Sequence, residues 1–266
     1  MINKKVGKYD LTDINGVLGN ISKSEIRTMV QKMETDGYFI FDSKLSDEMV
    51  DELYFSALSI PCRYLDLNIS DYSKEEIIFN PDYPISPRYE FENSSIINLP
   101  VVQKLLFDQS LLFFAQEYLG VKPILDLVAF WWSVPFNGEG KSAAAQLYHF
   151  DMDRIKFIKF FFYVTDVDTN NGPHCYVRGS HKVLPKRLAR DGRFTDEEIE
   201  ENYGKNNCIE ICGIKGSIIA VDTRGFHKGK ELLANKRLIL QIEFANSMFG
   251  QSYPLIKIDY CKSEFE

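Results

Sequence analysis

The sequence predicts a mainly β protein with flanking helices, folded as an antiparallel barrel or sandwich. Two observations carry this. Residues 124–132, 156–164, 216–221 and 237–244 are runs of β-branched and aromatic residues bounded by turn signals. The segments between them are loops and hairpin-like links without regular helical periodicity, which favours an antiparallel plan over a βαβ one.

The helical signals gather before residue 120. Ser22 and Glu25 form a capping box, and Ile26, Met29, Val30 and Met33 follow at helical spacing until Gly37. Residues 38–41 are a short strand. A second helix starts near Ser46 with Met49, Val50, Leu53 and Ala57 on one face, and Pro61 lies beyond its end. Residues 62–99 lack periodicity and hold turn signals from Asn80 to Pro87, so a long loop is expected there. A third helix is expected over about 101–119, closed by Gly120. Within the 186–204 insertion, Thr195 and Glu198 form another capping box and predict a short surface helix. The expected organisation is one domain over 1–266, with helical support over about 1–120 and a barrel core over about 121–250.

The chain has 266 residues, 45% of them hydrophobic and 14% aromatic, which suits one sizeable globular core. No run approaches the ~18 apolar residues that span a bilayer, and the basic N-terminal stretch lacks the apolar segment of a secretory signal. A net charge of −7 argues against a nucleic-acid scaffold. Five cysteines at 62, 175, 208, 212 and 261 show no paired spacing, as expected of a reduced, cytoplasmic-type protein. Cys208 and Cys212 share a strand face with Glu210; two small buried apolar groups are expected there rather than a soft-metal site.

His149-Phe150-Asp151 is the motif that carries chemistry. In extended backbone, residues i and i+2 face the same way, so an imidazole and a carboxylate converge. With the distant His227 they make the two-histidine, one-carboxylate set that holds non-haem Fe(II) on one face and leaves positions open. The pair alone arises by chance, but the chain has only four histidines, at 149, 174, 181 and 227. Arg237 follows His227 by ten residues, at the start of a strand that could pair with the one leading into His227. Its guanidinium could hold a dicarboxylate co-substrate by a forked pair of hydrogen bonds.

The order His149-Phe150-Asp151, Asn171-Gly172-Pro173-His174-Cys175-Tyr176-Val177-Arg178-Gly179-Ser180-His181-Lys182, His227 and Arg237 resembles the phytanoyl-CoA dioxygenase family. The resemblance is clearest over 124–245. It implies a double-stranded β-helix, the cupin-like jelly roll, and an Fe(II)- and 2-oxoglutarate-dependent dioxygenase that consumes O2 and releases succinate and CO2. It also implies that His149, Asp151 and His227 are the metal ligands, that Arg237 takes the distal carboxylate of 2-oxoglutarate, and that Phe161 lines the co-substrate pocket. The retained Asp151 points to hydroxylation or another oxidation, because related halogenases replace this carboxylate with a small residue. Three departures stand out: Arg178 replaces a proline, His174 a small or apolar residue, and Gly229 a hydroxyl residue that often helps bind 2-oxoglutarate.

Lys159 shares the strand face of Phe161 and wants an anion partner or an exit to solvent. Gln146, three residues before His149, is a further co-substrate candidate. Arg88, Arg178 and Arg224 are candidates to meet an acidic small-molecule substrate. His174 and His181 are read as structural or substrate-facing, and the 172–182 block as a turn shaping the barrel rim. The basic residues 186–193 beside the acidic run 196–201 read as a self-neutralising exposed face. Two other classes stay open: a non-catalytic barrel that only binds, and a divalent-metal hydrolase or isomerase, for which Arg237 would have no use.

Overall fold

The computed structural model describes residues 7–135 and 147–250, together with Tyr253 and Ile256. The chain begins with helix α1 (Lys23–Asp36), capped by Ser22 and closed by Gly37 at φ 87°. A side chain at Gly37 would be excluded twice: the left-handed φ disfavours it, and a Cβ would sit 2.2 Å from the Tyr176 hydroxyl. Strand β1 (Tyr38–Lys44) and helix α2 (Asp47–Ser59) follow, and α2 buries Met49, Val50, Leu53 and Ala57 as their spacing requires.

The long loop expected over 62–99 is not a loop. It contains β2 (Pro61–Asp66), β3 (Asp71–Tyr72), β4 (Ile77–Ile78), β5 (Arg88–Glu90) and the short helix α3 (Asn93–Ile96). These strands are too short to display alternation, and Pro61 opens its strand where no ladder donor is needed. The third helix is also two: α4 (Pro100–Leu106) and α5 (Gln109–Leu119). Asp108 separates them, its carboxylate accepting from Leu111 N at 3.0 Å and Val17 N at 2.8 Å, a local bond that competes with continued helix.

The remaining elements are β6 (Ile124–Ser133), β7 (Phe157–Tyr163), β8 (His174–Val177), α6 (Asp196–Tyr203), β9 (Cys208–Ile211), β10 (Ser217–Val221), β11 (His227–Gly229) and β12 (Arg237–Ala245). One sheet runs β1-β10-β7-β12-β6-β5-β2-β3, with β4 beside β2; the other runs β11-β8-β9. Every strand pairing among the described residues is antiparallel. The fold is therefore the mainly β jelly roll with flanking helices that the sequence predicts. Two placements differ from expectation. β7 lies between β10 and β12, so Arg237 is not on the strand next to the one leading towards His227. Residues 174–177 are a buried strand, with only the part after Val177 serving as a rim turn.

Strand alternation sorts the core. Phe130, Trp132, Phe160, Phe162, Ile218, Ala220, Leu238, Leu240 and Ile242 pack with the helices in one cluster. Their odd-numbered neighbours Trp131, Phe161, Tyr163, Ile219, Val221 and Ile239 pack between the sheets in another, as a period of two dictates. Among the described residues, no helix is long and apolar enough to cross a membrane.

This sorting separates stability from chemistry at adjacent positions. Phe160 is fully buried on the helix side, so Phe160→Ala should cost roughly 3–5 kcal/mol of folding free energy. Urea titration followed by far-UV circular dichroism measures it; a loss below about 1 kcal/mol would contradict the packing described.

Candidate metal centre

The segment carrying His149 lies against β11. His149 N donates to His227 O at 3.0 Å and His227 N donates to His149 O at 2.8 Å. This reciprocal pair fixes the two residues opposite one another and brings their ring centroids to 4.3 Å. Asp151 N donates to Thr223 O at 2.8 Å, so the carboxylate is held to the chain just before β11. The sequence expects 149–151 to be extended, and it is, although the segment pairs through isolated bridges and not as a long strand.

Each imidazole is oriented from behind. His149 Nδ1 lies 3.1 Å from Leu147 O and His227 Nδ1 lies 3.0 Å from Gly225 O. A carbonyl only accepts, so each Nδ1 carries the proton and each Nε2 keeps its lone pair for a metal. One ligand atom each from His149, Asp151 and His227 lies within 4.8 Å of the others; among the described residues no other group of His, Cys, Asp or Glu does this. Burial, with contributions from His227 and Arg193, pushes the His149 imidazole down to about 3. Burial likewise lowers His227. Burial alone would raise Asp151, but His227 and Lys159 outweigh it and hold the carboxyl below its usual range. Two neutral nitrogens and one anionic oxygen are the protonation states that a divalent metal requires.

A cavity of about 280 Å³ opens from these three residues into the space between the sheets. From the larger sheet it is lined by Arg88, Trp131, Lys159, Phe161, Arg237 and Gln241, and from the other side by His174 and Gly229. Arg237 is 7% exposed. Its Nη2 donates to Ser133 Oγ at 3.2 Å, and its Nε is buried with no partner. No carboxylate pairs with it among the described residues. Burial, reinforced by Arg88, lowers this guanidinium to about 10. A buried cation without an anion is costly, and here it faces a cavity that an anion can enter. Arg88 comes from β5, which flanks β6 on the side opposite β12: both Arg88 and Arg237 are register partners of Ser133. The Arg88 guanidinium stacks over Trp131 at 4.8 Å and lies 3.6 Å from Glu90. A Cβ at Gly229 would lie 3.9 Å from Arg237 Nη2, so the missing hydroxyl residue leaves room beside the guanidinium.

Other sequence candidates fall elsewhere. Arg178 lies 3.7 Å from Asp36, and its guanidinium donates to the Tyr38 hydroxyl. Arg224 forks onto Asp222 at 2.5 and 2.9 Å. Neither lines the cavity. Gln146 lies outside the described residues. His181 is turned to Glu34 O at 3.1 Å. Cys212 is exposed and Cys208 half-buried, which corrects the expectation of two buried groups; β9 is an edge strand and leaves that end of it open.

Some residues at the site escape sequence reasoning. His174, read from the sequence only as structural or substrate-facing, lies tilted against Phe161 at 5.0 Å and stacks behind His227 at 5.4 Å, with its Nε2 buried and without a partner among the described residues. A second recess of about 670 Å³ shares His149 and Asp151 and is walled by Met152, Leu184, Arg190 and Arg193. Arg190 does pair with Glu198 at 2.5 Å, as a self-neutralising face requires. Arg193, in contrast, acts on both histidines. Its only signal in the sequence is its place at the end of the basic run.

The family model described as Phytanoyl-CoA dioxygenase (PhyH) matches residues 130–237. A search of curated protein sequences gives no match. Among solved structures, the non-heme alpha ketoglutarate dependent carbocyclase SnoK from nogalamycin biosynthesis has TM-score 0.60 and 14% identity, covering 86% of each chain. EctD from S. alaskensis with bound Fe has TM-score 0.60 and 17% identity, over 85% of this chain and 76% of that one. HygX from Streptomyces hygroscopicus, with nickel, 2-oxoglutarate and hygromycin B bound, has TM-score 0.56 and 14% identity, over 84% and 88%. At these identities the likeness is one of fold.

Because burial lowers both imidazoles from the ordinary histidine value, metal uptake should displace fewer protons from them than from two ordinary histidines. Two ordinary histidines would together release about one proton at pH 6.5. Calorimetry of Co(II) binding at pH 6.5 should therefore show a heat that varies with buffer ionisation enthalpy by clearly less than one proton's worth. A buffer-dependent heat equivalent to about one proton would show the imidazoles to be ordinary ones.

Proposed function

We propose that the chain, which matches the phytanoyl-CoA dioxygenase family model over residues 130–237, is an Fe(II)- and 2-oxoglutarate-dependent dioxygenase of a small molecule. The observation that carries this reading is Arg237, a buried guanidinium with no carboxylate partner among the described residues, placed across one cavity from a three-residue set that could hold a metal. A hydrolase or isomerase on the same barrel would have no use for that cation, and a barrel that only binds would have no use for the open metal face.

In this reading His149 Nε2, His227 Nε2 and Asp151 would hold Fe(II), a three-ligand set that would leave room for a 2-oxo acid. The bound metal supplies oxygen activation coupled to decarboxylation of 2-oxoglutarate to succinate and CO2. The protein's residues do the positioning. Arg237 forks onto the distal carboxylate, with Arg88 adding positive charge beside it. Trp131, Phe161 and Ile239 give that pocket apolar walls and keep water from the reacting end. The outer recess beside His149 receives the substrate, and Arg193 at its wall favours one carrying an acidic group. We take the catalytic unit to be one domain spanning the helical support and the barrel, with hydroxylation as the outcome that Asp151 permits. Neighbouring folds hold nogalamycin RO and hygromycin B, which supports a small molecule as substrate and leaves its identity to assay.

His149→Ala, Asp151→Ala and His227→Ala should each abolish Fe(II)-dependent 2-oxoglutarate turnover in a protein that remains folded. Retained activity in any two would sink the ligand assignment. Arg237→Ala should weaken 2-oxoglutarate by roughly two to three orders of magnitude, since breaking a buried charge pair costs about 3–5 kcal/mol. Arg237→Lys should fall between, because it keeps the charge and loses the fork. Anaerobic titration of the Fe(II) protein, read by the metal-to-ligand charge-transfer band, checks both; parent-like affinity in Arg237→Ala would move the anion site elsewhere.

A further inference from the structure

Lys159 is a cation in the middle of β7, a strand whose seven residues are all buried. It faces the cavity, yet its ammonium is already engaged. Nζ lies 2.7 Å from Asp151 Oδ2, 3.4 Å from Asp153 Oδ2 and 3.4 Å from Glu243 Oε2. Glu243 is its register partner across β12 and is fully buried, with neither carboxylate oxygen accepting a hydrogen bond. Lys159 is therefore fixed from two sides: its stem by the sheet and its ammonium by Glu243 and Asp153. The short bond to Asp151 is made from a position that the rest of the strand dictates.

We propose that Lys159 is a positioning residue that confines Asp151 to one ligating oxygen, an inference that rests on the metal-centre reading above. A carboxylate can bind a hard cation through one oxygen or two. Lys159 takes Oδ2 in a charge-assisted hydrogen bond. Both oxygens face the histidines, Oδ2 at 3.5 Å from His227 Nε2 and Oδ1 at 3.9 Å from His149 Nε2, and with Oδ2 engaged by Lys159 it is Oδ1 that is left free for the metal. Were both oxygens to ligate, the protein would fill a fourth position, and a bidentate 2-oxo acid with dioxygen needs three. Lys159 thus keeps the third position open without touching the co-substrate.

Two simpler roles compete: neutralising Glu243, and binding the 2-oxo acid directly. Lys159→Met alone would strand a buried carboxylate and could fail to fold, so the decisive variant is Lys159→Met with Glu243→Gln, which removes both charges. Three readings on Mn(II)-loaded full-length protein separate the roles: Mn(II) affinity, the water-proton relaxivity per bound Mn(II), which follows the number of metal-bound waters, and the affinity for 2-oxoglutarate. In the double variant, Mn(II) affinity should persist, relaxivity should fall by about one third as one of three open positions closes, and 2-oxoglutarate should bind at least about tenfold more weakly. Parent-like relaxivity and parent-like 2-oxoglutarate affinity would reduce Lys159 to a neutraliser of Glu243. Weakened 2-oxoglutarate with unchanged relaxivity would make it a direct ligand of the co-substrate. Either result overturns the inference and leaves the metal centre standing, whereas failure of the parent to bind Mn(II) would overturn the metal centre itself. If the double variant does not fold, a crystal of unmodified protein soaked with Mn(II) decides: one Asp151 oxygen on the metal supports the inference, and two refute it.

Discussion

The structure depends on one constraint, the two-residue alternation of β6, β7 and β12. From Leu127 onward on β6, and along β7 and β12, the apolar even-numbered residues pack against the helices, and the odd-numbered Trp131, Phe161 and Ile239 enter the space between the sheets. That single parity decides which side chains build the core and which build the cavity. Trp131, Lys159, Phe161, Arg237, Ile239 and Gln241 share a compartment because they share a parity. A slip of one residue in any of these ladders would bury Arg237 among phenylalanines and turn Phe160 towards the metal set.

The second determinant is unbalanced charge. Burying an ion is expensive unless it finds a partner, and the molecule treats its buried cations in two ways. Arg154 makes a double hydrogen bond to Asp126, both at 2.7 Å, and Lys159 lies among three carboxylates. Among the described residues Arg237 has a serine hydroxyl and no carboxylate. In the proposed function this contrast assigns Arg237 to an anion from outside, and Lys159 to the framework around Asp151. The assignment of Lys159 as a co-substrate contact, natural from its strand face, weakens for the same reason: its ammonium is already occupied.

What the sequence could convey follows from the range over which each signal acts. His149 and Asp151 are two residues apart, so their convergence needs only extended backbone. The long strands and capped helices α1, α2 and α6 announce themselves through periodicity and through Ser22, Ser46 and Thr195. β2 to β5 have two to six residues each, below the length at which alternation separates from noise, and they form only because β6 offers an edge. The neighbours of β12 could not be read either, since the spacing between His227 and Arg237 is silent about β7 lying between β10 and β12. His174 and Arg193 reach the metal set through tertiary contacts alone. Arg178 and Arg224 carry the same charge as Arg88 in the sequence, and local partners, Asp36 and Asp222, take them out of the site.

The central claim is that a metal set and a buried, unpaired guanidinium together select a 2-oxo acid with a second carboxylate. The most direct measurement is Fe(II)-dependent release of carbon dioxide from 2-oxoglutarate and, in parallel, from 2-oxobutyrate, which presents the same chelating end to the metal and nothing to Arg237. The account predicts decarboxylation of 2-oxoglutarate with succinate formed in equal amount, and little or none of 2-oxobutyrate. Equal consumption of the two acids would contradict it.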